Sequence, residues 1–404
     1  MPEVLRPETA DQVLDALRWA AAEETPLELV GGGSKRALGR PFQADHGLDL
    51  SALAGIGLYE PEELVMSAGP GTRLDEIEAA LAAKHQQLAF EPPDLGPLLG
   101  GSAGESTIGG VFACNLAGPR RVKAGAARDH LLGLHAVSGR GDPFKTGGRV
   151  VKNVTGYDLC KLLCGAYGTL AAFTQLTFKV LPAPEASRTL VVDGLADDAG
   201  VAALTRALHS PCEVSGAAHL PPAVAARTAA APDGGAVTAV RVEGFVPSVE
   251  ARGETLHAIL SELGPVRALG GDAGEAFWRA LRDVRPFDDD GAADVWRLSV
   301  PPADGPAVAA ALSARDGAEH FFDWGGGLIW LALPASDDAG AAPVRAAVAG
   351  SGGHATLIRA PEPVRAAVDV FQPQPAPLAA LTRRVKESFD PKRILNPGRM
   401  YPGV

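Results

Sequence analysis

Residues 96–170 read GPLLGGSAGESTIGGVFACNLAGPRRVKAGAARDHLLGLHAVSGRGDPFKTGGRVVKNVTGYDLCKLLCGAYGTL, and sixteen glycines fall between Gly96 and Gly168, nearly twice the density of the whole chain. Glycine is entropically costly to order and is useful where φ must be positive or where backbone must approach a ligand closely. Among these glycines stand polar residues able to donate or position hydrogen bonds: Ser106, Thr107, Asn115, Arg128, Asn153, Thr155, Tyr157 and Asp158. The combination reads as a wall for a long, phosphate-bearing ligand. For any single Gly-Gly pair, a tight turn between short strands is the competing reading.

Upstream of this stretch, helix and strand signals alternate. Thr9 with Gln12 forms a capping box, Val13, Leu17 and Ala21 mark an inner helical face, and Pro26 closes the helix. Leu27–Val30 is a short strand that runs into Gly31-Gly32-Gly33-Ser34-Lys35. A strand ending in a glycine loop presents successive backbone N–H groups to an anion, and Lys35 or Arg36 adds charge. It is not the dinucleotide fingerprint, because the third glycine is missing at the required spacing, and a plain turn is the alternative. Leu64–Ala68 is a second strand leading to Gly69-Pro70-Gly71. Thr72 with Asp75 caps a helix whose apolar stripe is Leu74, Ile77, Leu81 and Leu88, and Glu91-Pro92-Pro93 ends it. Downstream, Leu131–Val137 reads as a strand, 158–163 as helical and Leu170–Leu181 as a last strand before the prolines at 182 and 184.

At 404 residues two domains are expected, and 46% hydrophobic with 21% charged residues is an ordinary globular balance. A net charge of −11 argues against nucleic acid as a general partner, which needs clustered cations. The short basic patch Arg120, Arg121 and Lys123 suits a small anion or a partner's surface. Four cysteines (Cys114, Cys160, Cys164, Cys212) make no disulfide framework, and Cys160 and Cys164 read as small buried apolar residues. No apolar run is long enough to span a bilayer, so a cytoplasmic protein is expected, with any membrane association made through partners.

Residues 184–375 differ in composition. Strand-like runs at Thr189–Val192, Ala236–Phe245, Val295–Val300, Gly327–Leu333 and His354–Arg359 alternate with helical stretches such as Val249–Leu263 and Pro343–Val348. This predicts a second α+β domain with an antiparallel sheet covered by helices. A last helix with Leu378, Leu381, Val385 and Phe389 in register leads to a tail, Asp390-Pro391 through Asn396-Pro397-Gly398-Arg399-Met400-Tyr401, whose composition predicts a fixed, packed conformation.

Taken together, Val30-Gly31-Gly32-Gly33-Ser34, Pro70-Gly71, Thr107-Ile108-Gly109-Gly110, Thr155-Gly156-Tyr157-Asp158-Leu159, Gly165 with Gly168-Thr169-Leu170, and Asn396-Pro397-Gly398 resemble the vanillyl-alcohol oxidase type of flavoprotein, whose FAD-binding domain is also called PCMH-type. Gly33-Ser34-Lys35 with Leu38-Gly39-Arg40, Gly118-Pro119-Arg120-Arg121, Gly125 with Arg128-Asp129, and Val151-Lys152-Asn153-Val154 narrow the resemblance to the FAD-binding subunits of bacterial glycolate oxidase (glycolate dehydrogenase). The resemblance implies an α+β fold: residues 1–183 as an FAD-binding domain of two subdomains (about 1–55 and 56–183), 184–375 as a cap over the isoalloxazine, and 376–404 returning to the FAD domain. It implies oxidation of glycolate to glyoxylate beside a catalytic flavin subunit and an iron–sulfur subunit. By the same carry-over, Gly31, Gly32, Gly33, Ser34 and Lys35, with Thr107, Ile108, Gly109 and Gly110, line the pyrophosphate and flavin. Gly156, Asp158, Gly168, Thr169 and Leu170 hold the adenine-side backbone, and Asn396 returns from the tail. Pro70, Gly71, Arg128 and Asp129 complete the expected cofactor-binding set.

The departures bear on chemistry. Catalytic relatives that oxidise 2-hydroxy acids carry a paired-histidine metal site and a glycine-rich run with Asp, Asn and His. Here His209, His219, His257, His320 and His354 are scattered, and Gly325-Gly326-Gly327 carries no histidine. A 2-hydroxy acid needs a base for its hydroxyl and cations for its carboxylate, and no metal site or catalytic residue is assigned. Arg279, Arg282, Asp283 and Arg285 are either an unfamiliar acid–base set or a solvated helix face. No histidine stands near Ser34, so FAD is expected to bind non-covalently. The favoured expectation is an electron-transferring or supporting subunit. A stand-alone flavin dehydrogenase and a scaffold without flavin function are the alternatives.

Overall fold

The Thr9 hydroxyl accepts from the Gln12 N–H at 3.2 Å, and the Gln12 side chain accepts from the Glu8 N–H at 2.6 Å, so the first helix, α1 (Ala10–Glu23), starts at its capping box. The computed structural model describes residues 3–150, 156–231, 234–288 and 293–404. Asn153 and Thr155, with the rest of 151–155, lie outside the described residues. Val13, Leu17 and Ala20 of α1 are fully buried against Leu27, Leu48, Val137, Ala172, Ile394 and Leu395. This core therefore combines residues from both ends of the chain.

The chain divides into two compact units, one of 1–116, 126–182 and 369–404, the other of 117–125 and 183–368. In the first, strands β1 (Glu3–Leu5), β2 (Leu27–Val30) and β3 (His46–Asp49) form a parallel sheet in the order β1-β3-β2. The next strands are β4 (Ile56–Glu60), β5 (Val65–Ala68), β6 (Gln86–Gln87), β7 (Leu131–Ser138), β8 (Pro143–Gly147), β9 (Ala171–Lys179) and β10 (Leu181–Pro182). Five of them make an antiparallel sheet, β4-β5-β9-β7-β8, while β6 pairs with β10.

Two local expectations change. Helix α2 (Leu74–Ala82) is capped at Arg73 without a side-chain bond, because the Thr72 hydroxyl is used elsewhere: it donates to Gly69 O at 2.8 Å and accepts from Gly55 N at 2.9 Å. Leu88 is buried but lies beyond α2. The segment after Thr107 is a helix, α3 (Ile108–Cys114), with the Thr107 side chain as its cap.

The C-terminal helix (Ala376–Phe389) is also rotated from the expected stripe: Leu378 and Leu381 are each 47% exposed, and the buried residue is Lys386. Lys386 Nζ donates to Asp390 Oδ2 (2.8 Å), Thr169 O (2.7 Å) and Leu395 O (2.8 Å). The Asp390 carboxylate in turn accepts from the N–H groups of Ile394 (3.0 Å) and Leu395 (2.8 Å). All three ammonium donors are thus satisfied, which is what makes a fully buried lysine tolerable.

The second unit is one eight-stranded antiparallel sheet, β14-β11-β13-β12-β16-β17-β15-β18. Its strands are β11 (Ala186–Asp193), β12 (Gly216–Leu220), β13 (Val237–Gly244), β14 (Val266–Leu269), β15 (Asp294–Ser299), β16 (Glu319–Asp323), β17 (Leu328–Leu333) and β18 (His354–Arg359). With helices Asp197–Leu208 and Val246–Ser261 in the first half and Gly305–Ser313 and Ala341–Ala349 in the second, each half is a βαββαβ repeat with the same internal strand order. The halves meet through a single ladder pair, His219↔Phe322. Beside that narrow seam Asp197 accepts from both His219 Nε2 (3.1 Å) and His320 Nε2 (2.7 Å). Burial works against the Asp197 charge, but these two hydrogen bonds outweigh it and hold the carboxyl well below its usual range. The two histidines, far apart in sequence, are therefore a structural clasp.

The alternative acid–base set is also accounted for: Arg282 makes two bonds to the buried Asp283 at 2.8 and 2.9 Å, and Arg285 pairs with Asp288 at 2.8 Å. The basic patch belongs to this unit as well. Arg120 forms a two-pronged ion pair with Glu243 on β13 (2.9 and 2.7 Å), Lys123 pairs with Glu213 (2.8 Å), and Arg121 stacks 4.3 Å from the ring centre of Trp324, whose Nε1 donates to Gly118 O.

Burial alone would raise the Glu243 carboxyl, but the hydrogen bond from Arg120 and the charges of Arg241 and Arg120 pull it down to about 2. A carboxyl depressed in the folded state contributes stability that is complete above its unfolded value and is lost as pH falls towards its folded value. Glu243→Gln should therefore be less stable than the parent at pH 7, by roughly 3 kcal/mol, and the gap should close between about pH 4.5 and pH 2. Four of the five tryptophans lie in this unit, so tryptophan fluorescence during urea unfolding at a series of pH values reads it directly.

Candidate functional site

Strand β2 is held from its outer side by the C-terminal tail. Leu27 N donates to Ile394 O (2.7 Å), Asn396 N to Leu27 O (3.1 Å) and Leu29 N to Asn396 Oδ1 (2.8 Å), while Asn396 Nδ2 donates to Tyr167 O (2.7 Å). The end of β2 is thereby fixed, and the chain runs on into Gly31–Lys35. That loop lies directly on residues 105–107: a Cβ on Gly32 would stand 2.0 Å from Glu105 O, and one on Gly31 2.7 Å from Thr107 Oγ1. Only glycine permits this approach.

The two glycine segments then differ in what they offer. The N–H groups of Ile108, Gly109 and Gly110 already donate, to Thr72 O (2.9 Å), Pro70 O (2.9 Å) and Thr107 Oγ1 (3.4 Å). By contrast, among the described residues no protein group accepts from the N–H of Gly31, Gly32, Gly33, Ser34 or Lys35. Buried or cleft-lining backbone donors are normally paired, so five adjacent ones without a protein acceptor mark a place where something else accepts. An anion suits successive N–H groups of this kind.

Around the loop is a cleft with about 730 Å³ of unfilled space. Its wall includes Leu29, Gly31–Lys35, Pro70, Thr107, Gly109 and Gly110, then Tyr167, Gly168, Phe173, Asn396 and Arg399. Most of that surface is apolar side chain and bare backbone, with Lys35, Arg36 and Arg399 as its cations. Arg399 donates to Lys35 O at 2.9 Å and to Arg36 O at 3.3 Å, fixing the far side of the loop. Lys35 is 8% exposed, its Nζ donating to Ser34 Oγ (3.2 Å) and Ser106 Oγ. Burial lowers its pKa, an effect that the neighbouring Cys114 and Asp94 partly oppose.

The remaining expected residues divide by position. Gly71 stands behind the cleft, where a Cβ would meet Ser51 O at 2.4 Å. Ile108 and Leu170 are core residues, and Thr169 is buried with its hydroxyl donating to Ala166 O at 2.7 Å. Asp129, Gly156 and Asp158 line a separate depression with Lys161 and Lys179, which shares no residue with the cleft. Arg128 is exposed and lines neither, its N–H donating to Asn115 Oδ1 at 3.0 Å. The structure adds Tyr167, Phe173, Cys114 and Arg399 to the cleft wall. Arg399 lies three residues beyond Asn396 in the tail motif, which was the available signal for it.

Residues 2–147 match the family model described as "FAD binding domain", and residues 374–400 that of "FAD linked oxidases, C-terminal domain". The glycolate oxidase subunit GlcE of Escherichia coli is 35% identical over 96% of this chain and 96% of its own length. The glycolate oxidase subunit GlcD of Bacillus subtilis is 32% identical over 47% of this chain and 39% of that protein. Among solved structures, 4-ethylphenol oxidase from Gulosibacter chungangensis aligns with a TM-score of 0.73 and 14% identity over 99% of this chain and 89% of that one. For p-cresol methylhydroxylase the values are 0.71, 16%, 98% and 88%, so the fold is shared with both. FAD is the cofactor of the domain that carries the cleft, and the free donor run, the apolar wall and the buried cation fit it.

Gly32→Ala should force the loop off Glu105, because backbone cannot yield as a flexible side chain does. The expected result is a lower thermal midpoint and at least about a tenfold loss of FAD affinity by fluorescence titration. Gly350→Ala, where a Cβ meets nothing within 4 Å, should change neither.

Proposed function

The chain belongs to the family of the Escherichia coli glycolate oxidase subunit GlcE, and from that premise we propose that it is the FAD-binding subunit of a glycolate-oxidising complex. The observation that carries this reading is the full-length match, 96% of both chains. In the complex it works beside a catalytic flavin subunit and an iron–sulfur subunit. The FAD domain would be residues 1–183 with 376–404 and the cap 184–375, except that 117–125 pack with the second unit and 369–375 with the first.

The N–H groups of Gly31–Lys35 would receive the cofactor's diphosphate, and Lys35 would face it with positive charge. Gly109, Gly110 and Gly168 would give the ring system close, bare surface. Thr169 and Leu170 act one layer back, while Asn396, itself in the wall, holds the backbone of Leu29 and Tyr167 beside it. FAD, when bound, supplies two-electron redox chemistry. Binding would be non-covalent: among the described residues that line the cleft there is no histidine, and burial raises the pKa of the Cys114 thiol, which disfavours the nucleophilic thiolate.

The division of labour follows from what the cleft lacks. Among the described residues that line it there is no carboxylate and no imidazole, the side chains that most often take a hydroxyl proton. Oxidation of glycolate itself then falls to the catalytic partner, with this subunit handling electrons or supporting that partner. No helix among the described residues is long and apolar enough to cross a membrane. The proposed location is the cytoplasm, with any contact with the inner face of the membrane made through the partners.

Purified alone, the chain should carry flavin, released on denaturation, and reduce an acceptor dye with glycolate only weakly. Activity should appear when the partner subunits are added. Robust glycolate turnover by the isolated chain would contradict the assignment, as would a chain that cannot be reconstituted with FAD.

A further inference from the structure

The C-terminal helix (Ala376–Phe389) turns an apolar stripe outward. Leu378, Leu381 and Val385 are three and four residues apart, so they share one side of the helix. Leu378 and Leu381 are each 47% exposed and Val385 is half-buried, while Lys386 takes the inward position. A single exposed leucine is ordinary. Two on neighbouring turns, beside a third apolar side chain, make a ridge.

Two features prepare this ridge for a contact. The helix is fixed from behind: Lys386 Nζ binds Asp390, Thr169 O and Leu395 O, and Arg140 donates to Ser388 O (2.8 Å) and Glu387 O (3.3 Å). A surface already ordered has little left to lose on binding. The ridge is also edged with positive charge. Arg384 stands three residues beyond Leu381 and is exposed, as is Arg383, and among the described residues neither meets a carboxylate. Glu387 is the one acidic residue of this helix. The helix is thus locally basic on a chain of net charge −11.

Charge and size select the occupant. A second copy is disfavoured, because a two-fold contact sets the same patch against itself. It would gather the arginines of both helices between two chains that are each acidic. An iron–sulfur protein suits the ridge better, since its cluster is held by cysteine thiolates and is a centre of negative charge. Contacts between electron-transfer proteins are small, under about 1,200 Å², which is the scale of a short helical ridge, and complementary charge guides them. The helix also adjoins the cleft: Lys386 binds Thr169 O, next to Gly168 of the cleft wall. It is therefore the layer behind that wall, on the short path that an electron acceptor needs.

We propose that this ridge, Leu378, Leu381 and Val385 with Arg384 at its edge, is the docking site of the iron–sulfur subunit, which meets it with an apolar patch bordered by carboxylates. The inference rests on the reading of a glycolate-oxidising complex above, and goes beyond it in giving that partner a place on this chain.

The test uses the full chain loaded with FAD and the purified iron–sulfur subunit, with binding followed by surface plasmon resonance. Leu378→Ser combined with Leu381→Ser should weaken binding at least about tenfold. Arg384→Glu should weaken it by about three- to tenfold and lessen its dependence on salt. Bound FAD, the thermal midpoint and the affinity for the catalytic flavin subunit should change little, because these side chains lie outside the core. Unchanged binding of the iron–sulfur subunit by the double variant would overturn the proposal. So would a loss confined to the catalytic flavin subunit, which assigns the ridge to that partner, or a parent dimer that the leucine changes dissociate, which assigns it to a second copy. A parent chain that binds neither subunit sinks the reading of the complex itself, whereas one that binds the catalytic flavin subunit alone sinks only this inference.

Discussion

The buried pair Lys386–Asp390 is the constraint on which the rest of the first unit depends. Both side chains are fully buried, 2.8 Å apart, and between them they bind Thr169 O, Leu395 O and the N–H groups of Ile394 and Leu395. A buried ion pair stabilises only when its remaining donors and acceptors are satisfied, and here they are satisfied by backbone. The pair therefore fixes the course of the tail. The tail fixes β2 through Ile394 and Asn396, and β2 launches the glycine loop. Asn396 extends the same logic, joining Leu29 to Tyr167 across the back of the cleft.

Counting backbone donors then separates two glycine segments that look alike in sequence. At Ile108–Gly110 the donors are consumed by Thr72, Pro70 and Thr107, so those glycines serve close packing and leave smooth surface. At Gly31–Lys35 the donors are left over. An unpaired donor is a cost to the folded chain that a bound anion offsets. A cofactor able to do this is thereby coupled to the stability of the loop that holds it.

Much of this was legible in the sequence, and the failures have physical reasons. The capping box at Thr9, the strand into Gly31–Lys35, the α+β class and the fixed tail all follow local rules that tertiary contacts left in force. Thr72 failed as a cap because a distant turn at Gly55 took its hydroxyl. The stripe Leu378–Leu381 failed because a buried lysine outcompeted two leucines for the inner face, an inversion that hydrophobic periodicity cannot anticipate. The doubled βαββαβ unit was illegible because two of its strands, Gly216–Leu220 and Glu319–Asp323, read as GAAHL and EHFFD, with neither alternation nor β-branched residues. The convergence of His219 and His320 on Asp197 lies at that same hidden seam. Asp129, Gly156 and Asp158 share glycine-rich sequence with the cleft residues but not their location, since composition carries no address.

What remains is to see the donors used. Hydrogen–deuterium exchange of the full chain, with and without FAD, reads the backbone N–H groups themselves. The N–H groups of residues 31–35 should exchange quickly in the free protein and become strongly protected when FAD is added, while those of residues 108–110, already paired, should change little. Protection appearing at 108–110 and not at 31–35, or at neither, would contradict the assignment of the glycine loop as the anion seat.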